Sequence, residues 1–271
     1  MIPEFITYLS SLKGYSENTV KAYVKDLHAF AYYMKQARQD ARWSNITRDD
    51  IDTYIIEQQH KGLKPATTNR QLAAISSIYR FFMRQGICTE NPCKYESRRK
   101  IAETIPTTIP VEDIRNAYRL SNGVGKQMLG ILATTGIRIQ ELLDLKWEDI
   151  DFTTCELRIF GKGNKQRIVK TEPGVLATWR ETNRSLNPQG KIFFFGQRKA
   201  RRIIYETLRP FCHYQHLNPH TIRHTFATQL AMQGESTTSI ALALGHKNIS
   251  TTQKYIDMTI QKQARLGIRL T

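Results

Sequence analysis

Near its end the chain reads Asn218-Pro-His-Thr-Ile-Arg-His-Thr-Phe-Ala-Thr228 and then Leu244-Gly-His-Lys-Asn-Ile-Ser-Thr-Thr-Gln-Lys-Tyr255. The Asn-Pro pair that opens the first stretch is typical of a helix start. On that helix, His220 and Arg223 are three residues apart, so they lie on one face. The region therefore predicts a helix that presents an imidazole and a guanidinium together.

The second stretch adds two more groups. His246 follows a glycine that can end a helix. Tyr255 comes nine residues later, in a run of Ser, Thr and Gln that can open another helix. Guanidinium forks bind phosphate oxygens, imidazoles move protons near neutral pH, and a tyrosine can act as a nucleophile. Each residue alone is more often an ordinary surface or core residue, so only the joint pattern has weight.

The composition excludes several classes of protein. The 271 residues carry a net charge of +16 and the pI is about 9.8, which indicates a polyanionic partner. No apolar run reaches the roughly 20 residues of a membrane-spanning helix, and the first residues do not resemble a signal peptide. The cysteines are scattered and lack zinc-site spacing, which predicts reduced thiols in a cytoplasmic protein: Cys88, Cys93, Cys155 and Cys212.

Residues 1–90 show helical periodicity and predict four or five short helices without strands. Ser16 and Thr47 are typical helix caps, and Thr67 or Thr68 is the predicted cap of the last helix, which stops at Gly86. Basic residues crowd the last loop and helix. Each is typical of a solvated face, but the group favours phosphate contact. The group consists of Lys61, Lys64, Arg70, Arg80 and Arg84.

Residues 91–110 form the predicted linker between two domains. Prolines punctuate this segment, and it contains the basic run Arg98-Arg99-Lys100. Such a tether can follow a DNA backbone or can be a solvated spacer, and the sequence favours neither interpretation.

Residues 111–271 combine helices with one small sheet. Arg138 starts a helix beside Gly136, where a bound anion would compensate for a cation at a helix N-terminus. The stretches 155–160 and 166–169 predict a β-hairpin with Lys162 at its tip. Residues 191–195 are a candidate third strand. A basic helix follows, with Lys199, Arg201 and Arg202. The expected fold is mainly α with a small antiparallel β-sheet.

Four separate stretches together resemble the tyrosine recombinases, the phage integrase family that includes the Xer proteins. They are Thr135-Gly-Ile-Arg-Ile-Gln-Glu-Leu142, Gly161-Lys-Gly-Asn-Lys-Gln-Arg167, the His220-x-x-Arg223 box, and Leu244-Gly-His246 followed by Tyr255. The resemblance implies a helical core-binding, DNA-binding domain at 1–90 and a catalytic domain at 111–271. It also implies six catalytic residues: Arg138, Lys162, His220, Arg223, His246 and the nucleophile Tyr255.

The same resemblance implies a reaction and a set of partners. The substrate is duplex DNA with a specific core site, cleaved through a 3′-phosphotyrosyl intermediate and a Holliday junction. The expected assembly is a homo-tetramer on two duplexes, in which a paralogous recombinase or accessory proteins can also take part. No membrane partner is expected. No metal and no other cofactor is expected. The DNA-binding candidates are the basic residues outside the catalytic set: Lys61, Lys64, Arg70, Arg80, Arg84, Arg98, Arg99, Lys100, Lys199, Arg201 and Arg202.

Two rival functions need to be weighed. A topoisomerase of the type IB kind uses the same chemistry without exchanging partners, but the four boxes resemble recombinases more closely. A DNA-binding regulator without catalysis is the second rival, and it has no need of the whole catalytic set. The DNA target and the biological role, whether chromosome dimer resolution, phage integration or transposition, do not follow from the sequence.

Overall fold

The computed structural model describes residues 2–93, 106–161, 165–182, 190–214, 217–246 and 251–257. The chain consists of two compact units, Met1–Glu103 and Thr104–Thr271. The division lies inside the segment that the sequence predicts as a linker. Within the described part of the chain, no helix combines the length and the apolar character needed to cross a membrane.

Helices build the N-terminal unit. In chain order they are α1 (Ile2–Thr7), a π-helical turn (Tyr8–Leu12), α2 (Glu17–Ala37), a 3₁₀ turn (Trp43–Asn45), α3 (Arg48–His60) and α4 (Pro65–Arg84). The helical prediction is confirmed, although α2 and α4 have 21 and 20 residues and are longer than expected.

Local capping chemistry sets the helix starts of this unit. The Ser16 side chain accepts a hydrogen bond from the Thr19 backbone, and Thr47 forms a capping box with Asp50, as predicted. The predicted cap of α4 is wrong. That helix begins earlier, with Pro65 in its first turn, where the missing N–H of proline costs no hydrogen bond.

An aromatic cluster forms the core of the N-terminal unit. Phe30 packs edge-on against Tyr54 with ring centroids 5.0 Å apart, and Trp43 contacts Phe82 at 5.5 Å. Polar contacts join α2 to α4, because Arg70 donates two hydrogen bonds of 2.8 and 3.0 Å to the buried Asp26. Arg70 therefore has a structural partner within its own unit.

The C-terminal unit is also mainly helical. Its elements are α5 (Val111–Leu120), α6 (Gly123–Thr135), α7 (Ile139–Asp144), a 3₁₀ turn (Trp147–Asp149), β1 (Ile150–Asp151), β2 (Glu156–Phe160), β3 (Gln166–Lys170), α8 (Pro173–Thr182), α9 (Gln197–Leu208), α10 (Pro219–Met232), α11 (Thr237–Leu244) and a last helix, α12, at residues 251–257. The mainly helical fold with a small antiparallel sheet is confirmed.

The sheet has the order β1-β2-β3, with both pairs antiparallel. In β2, Leu157 and Ile159 are buried while Arg158 faces solvent, so one face packs on the core. The predicted third strand at residues 191–195 is wrong. Lys191 forms only an isolated bridge, and the segment instead packs Phe193 edge-on against Trp179, at 5.6 Å between ring centroids.

Candidate active site

Arg223 on α10 is held by two backbone carbonyls. The Asn218 side chain caps this helix and accepts hydrogen bonds from the backbones of His220 and Thr221. The guanidinium of Arg223 donates to the Gly136 carbonyl at 2.6 Å and to the Leu244 carbonyl at 2.7 Å. Burial, and then the charge of Arg138, lowers the pKa of Arg223 to about 10, so the group stays charged at neutral pH.

The backbone conformation and packing at position 136 require a glycine. Its φ of +61° lies in the left-handed region that favours glycine, and an added Cβ would lie 2.3 Å from the Phe226 ring. The turn at this glycine ends α6 and aims the carbonyl at Arg223. It also places Arg138 two residues later, at the start of α7.

Arg138 reaches the same region from α7. Its guanidinium donates to Glu141 at 2.9 Å, to the Leu244 carbonyl at 3.4 Å and to the Gly245 carbonyl at 3.2 Å. The Leu244 carbonyl is thus shared by Arg138 and Arg223. The side chain of Arg138 is 38% exposed, so part of its fork faces outward.

Glu141 is a buried partner for the basic side chains of Arg138 and Arg167. Arg167 on β3 donates to both of its carboxylate oxygens, at 3.0 and 2.7 Å, and also binds the Ala243 carbonyl. Burial alone would raise the pKa of Glu141, but hydrogen bonds from Arg167 and from the Arg138 backbone outweigh burial and hold it below its ordinary value. The carboxylate therefore stays ionised and fixes both arginines.

His246 follows the end of α11, where Gly245 adopts a φ of +64°. Its Nδ1 lies 2.8 Å from the Thr252 hydroxyl on α12. Burial, and then the charges of Arg223 and Arg138, lowers the pKa of His246 to about 4. The imidazole is therefore neutral at physiological pH.

His220 is exposed at the start of α10. Partial burial lowers its pKa, followed by the positive charges of Arg201, Arg223 and Arg138. His220 thus lies within electrostatic range of both arginines that share the Leu244 carbonyl.

Tyr255 on α12 is 1% exposed and packs in a small apolar cluster. Its hydroxyl lies 2.7 Å from Nδ1 of His224. Burial raises the pKa of the phenol, while Arg223 opposes that rise. The phenol is therefore protonated at neutral pH in this conformation.

The described structure brings together five of the six residues that the resemblance assigns to catalysis. The sixth, Lys162, lies outside the described residues, as do Arg98, Arg99 and Lys100. A cleft of about 1150 Å³ opens beside the site, and its walls include Arg138, Glu141, Arg167 and His246.

Sequence reasoning missed two site residues, Arg167 and His224. The available signals were weak: an arginine in the second strand of a hairpin, and a histidine directly after Arg223.

The remaining basic candidates lie on exposed surfaces of their own units. Several have local partners: Lys61 with Glu57 at 3.5 Å, Arg84 over the Tyr8 ring at 5.3 Å, Lys199 over the Phe195 ring at 5.4 Å, Arg201 with Gln197 at 2.9 Å and Arg202 with Glu206 at 3.5 Å. Lys64 occupies the N-cap position of α4 without a side-chain capping bond, and Arg80 lies on the exposed side of that helix. Among the described residues, no three His, Cys, Asp or Glu side chains form a group that could hold a metal ion.

The two half-buried histidines of the site predict a pH dependence of stability. Burial, then the charge of Lys254, lowers the pKa of His224 to about 4, as burial and Arg223 do for His246. Unfolded histidines titrate near 6.5, so the unfolded chain binds more protons between pH 6.5 and 4. Acidification through that window must destabilise the folded unit.

We therefore expect the melting temperature of the C-terminal unit to fall between pH 7 and pH 5. The double variant His224→Asn/His246→Asn should lose less over the same interval, which calorimetry at both pH values will measure. Equal losses in the two proteins would show that these histidines are not the groups responsible.

Residues 111–262 match the phage integrase family, and residues 2–86 match the phage integrase N-terminal SAM-like domain. The chain is similar to the tyrosine recombinase XerD of Listeria innocua, with 32% identity over 96% of this chain and 94% of that protein. It is also similar to the tyrosine recombinase XerC of Bacillus pumilus, with 32% identity over 93% of this chain and 89% of that protein.

Solved structures share the fold. One is XerH site-specific recombinase bound to a palindromic difH substrate, with a TM-score of 0.74, 18% identity, and coverage of 98% of this chain and 84% of that one. Another is a lambda integrase dimer bound to a core site, with a TM-score of 0.72, 16% identity, and coverage of 94% of both chains.

Proposed function

Because the chain belongs to the phage integrase family, we propose that it is a site-specific DNA recombinase whose nucleophile is Tyr255. The phenol oxygen attacks the scissile phosphorus of a DNA strand, and the bond to the 5′ oxygen breaks. A 3′-phosphotyrosyl link results. The link conserves the energy of the phosphodiester. The 5′ hydroxyl of a partner strand can therefore attack the phosphotyrosyl link, release the tyrosine and rejoin the DNA without ATP.

The observation that carries this proposal is the convergence of Arg138 and Arg223 on one carbonyl beside a buried phenol. Arg138 keeps part of its fork exposed toward the cleft. A phosphate there would receive charge-assisted hydrogen bonds, which become stronger as negative charge develops in the transition state. Two fixed guanidinium groups near a tyrosine suit phosphoryl transfer and have no such use in a protein that only binds DNA.

The other residues take the remaining steps. Lys162 gives a proton to the leaving 5′ oxygen. His220, with its lowered pKa, is neutral near pH 7 and accepts the phenol proton. His246 orients the phosphate as a neutral hydrogen-bond donor, since Thr252 binds its Nδ1 and leaves Nε2 for the phosphate.

The proposed assembly is a homo-tetramer on two duplexes, which exchanges strands through a Holliday junction. Exposed basic residues on each unit supply the phosphate contacts outside the active site, with Lys64, Arg80, Lys199 and Arg201 among them. None of the four cysteines, all of which the structure describes, forms a disulfide, which supports action in the reducing cytoplasm.

The test begins with selection of bound duplexes from a random-sequence library, which identifies the core site. A duplex nicked close to the cleavage position then serves as a suicide substrate, because the cleaved fragment diffuses away and leaves protein on DNA. We expect a covalent complex in denaturing gels, with the 3′ end on the protein. Binding without any adduct would make the chain a regulator. Relaxation of supercoiled plasmids that lack the site would make it a topoisomerase.

A further inference from the structure

His224 joins the helix of the arginine to the helix of the tyrosine. It follows Arg223 on α10, and its Nδ1 lies 2.7 Å from the Tyr255 hydroxyl on α12. The two rings are 5.8 Å apart between centroids and are inclined by 46°. The contact spans 31 residues of sequence, so only tertiary packing creates it.

The surroundings of Tyr255 make this contact important. The ring packs among Ala227, Ala231, Ile240 and Leu244, all of them apolar. Such neighbours fix the position of the ring by packing. Breaking a hydrogen bond of a buried hydroxyl is costly, so the contact with the imidazole helps to orient the O–H bond.

The protonation states define the direction of the bond. Burial, followed by the charges of Lys254, His220 and Arg223, lowers the pKa of His224 to about 4, and burial raises the pKa of Tyr255. The imidazole is therefore neutral and the phenol keeps its proton. The phenol donates to Nδ1, and the imidazole proton resides on Nε2.

A second role for His224, as general base, is disfavoured by these protonation states. Its lowered pKa makes the imidazole a weak base toward a phenol whose own pKa is raised. His220 lies one helical turn earlier on the same face of α10, and the proposed function assigns the proton transfer to it.

We infer that His224 is a positioning residue for the nucleophile: its Nδ1 accepts the Tyr255 hydroxyl hydrogen and holds the phenol oxygen in the orientation from which it attacks. The inference rests on the proposed function, because it presupposes that Tyr255 is the nucleophile. Arg223 and His224 are consecutive, so α10 aligns the phosphate clamp and the nucleophile on one rigid element.

The hydrogen bond itself is tested on the full chain without DNA. In protein labelled with ¹⁵N-histidine, the His224 Nδ1 resonance should report an unprotonated, hydrogen-bonded nitrogen at pH 7. Tyr255→Phe removes only the donor, so that resonance should shift while the His28 and His60 resonances stay in place. An unchanged His224 resonance would overturn the inference.

The positioning role is tested with two variants of His224 on the nicked suicide substrate. His224→Leu fills the space without an acceptor, whereas His224→Asn puts an amide oxygen near the position of Nδ1. We expect His224→Leu to slow adduct formation roughly 10- to 100-fold, the size of a misplaced reacting group, with unchanged DNA affinity. His224→Asn should recover most of the rate, and the exposed His213→Leu should behave as wild type.

The outcomes separate this inference from the function beneath it. If wild type forms the adduct and His224→Leu forms it equally fast or faster, the imidazole does not position the nucleophile. If His224→Asn is as slow as His224→Leu at an equal melting temperature, the acceptor is not what matters, and the inference is again overturned. If wild type forms no adduct, the proposed function fails and the positioning role fails with it.

Discussion

Tyr255→Phe will abolish the covalent protein–DNA adduct and leave DNA binding intact. The change deletes one oxygen, while the ring keeps its packing against Ala231 and Leu244. Without the oxygen no phosphotyrosyl bond can form, and the loss should reach at least about 10⁴-fold, as for other removed nucleophiles. The measurement is the fraction of suicide substrate trapped on protein in a denaturing gel, beside a gel-shift titration of the same duplex.

Tyr32→Phe provides the matched control. Tyr32 lies on α2 and is 69% exposed, so the same atom is removed from a side chain that is mostly in solvent. It should trap DNA as wild type does. An adduct that persists in Tyr255→Phe would assign the nucleophile to another residue.

Arg223→Ala will lower cleavage by roughly 10³-fold or more, in the range found for lost transition-state donors and arginines. The substitution removes the cation, and it also leaves the Gly136 and Leu244 carbonyls without this donor. Arg223→Lys should restore little, because an ammonium cannot form a guanidinium fork. Single-turnover rates on the suicide substrate, with melting temperatures measured alongside, will separate catalysis from folding.

A modified leaving group distinguishes the role of Arg223 from that of Lys162. A 5′-bridging phosphorothiolate leaves without a proton, so it should rescue Lys162→Ala. It should not rescue Arg223→Ala or Arg138→Ala, because their function is charge stabilisation. Rescue of an arginine variant, with Lys162→Ala still inactive, would reverse the assigned roles.

The sequence predicts the parts of this protein that depend on neighbouring residues. Caps at Ser16 and Thr47 and the hairpin at residues 155–169 follow from local hydrogen bonding and side-chain alternation. The predicted start of α4 was wrong because Thr67 and Thr68 both have the side chain of a typical cap. The helix instead begins at Pro65, which occupies its first turn. The strand predicted at residues 191–195 is absent: Lys191 makes only an isolated bridge, and Phe193 packs against Trp179.

The candidate site, like the fold, is only partly predictable from the sequence. The sequence shows residue types with known phosphate chemistry, and the family resemblance assigns a catalytic role to each of their positions. The Arg167–Glu141 pair spans 26 residues and the His224–Tyr255 pair spans 31, so no local pattern predicts either contact. Only the packing of β3 against α7, and of α12 against α10, creates them.

The carbonyl groups at the end of α11 have a consequence for how the site meets its substrate. Arg167 binds Ala243, Arg223 binds Leu244, and Arg138 binds Leu244 and Gly245 through backbone oxygens. A helix C-terminus carries partial negative charge, so α11 and the Glu141 carboxylate act as counter-charge that offsets repulsion among three guanidinium groups. The arginines are preorganised before any phosphate arrives, and DNA binding need not gather them. Gly245→Ala, whose new Cβ would lie 2.8 Å from Arg167, should therefore disturb catalysis without altering any reacting group.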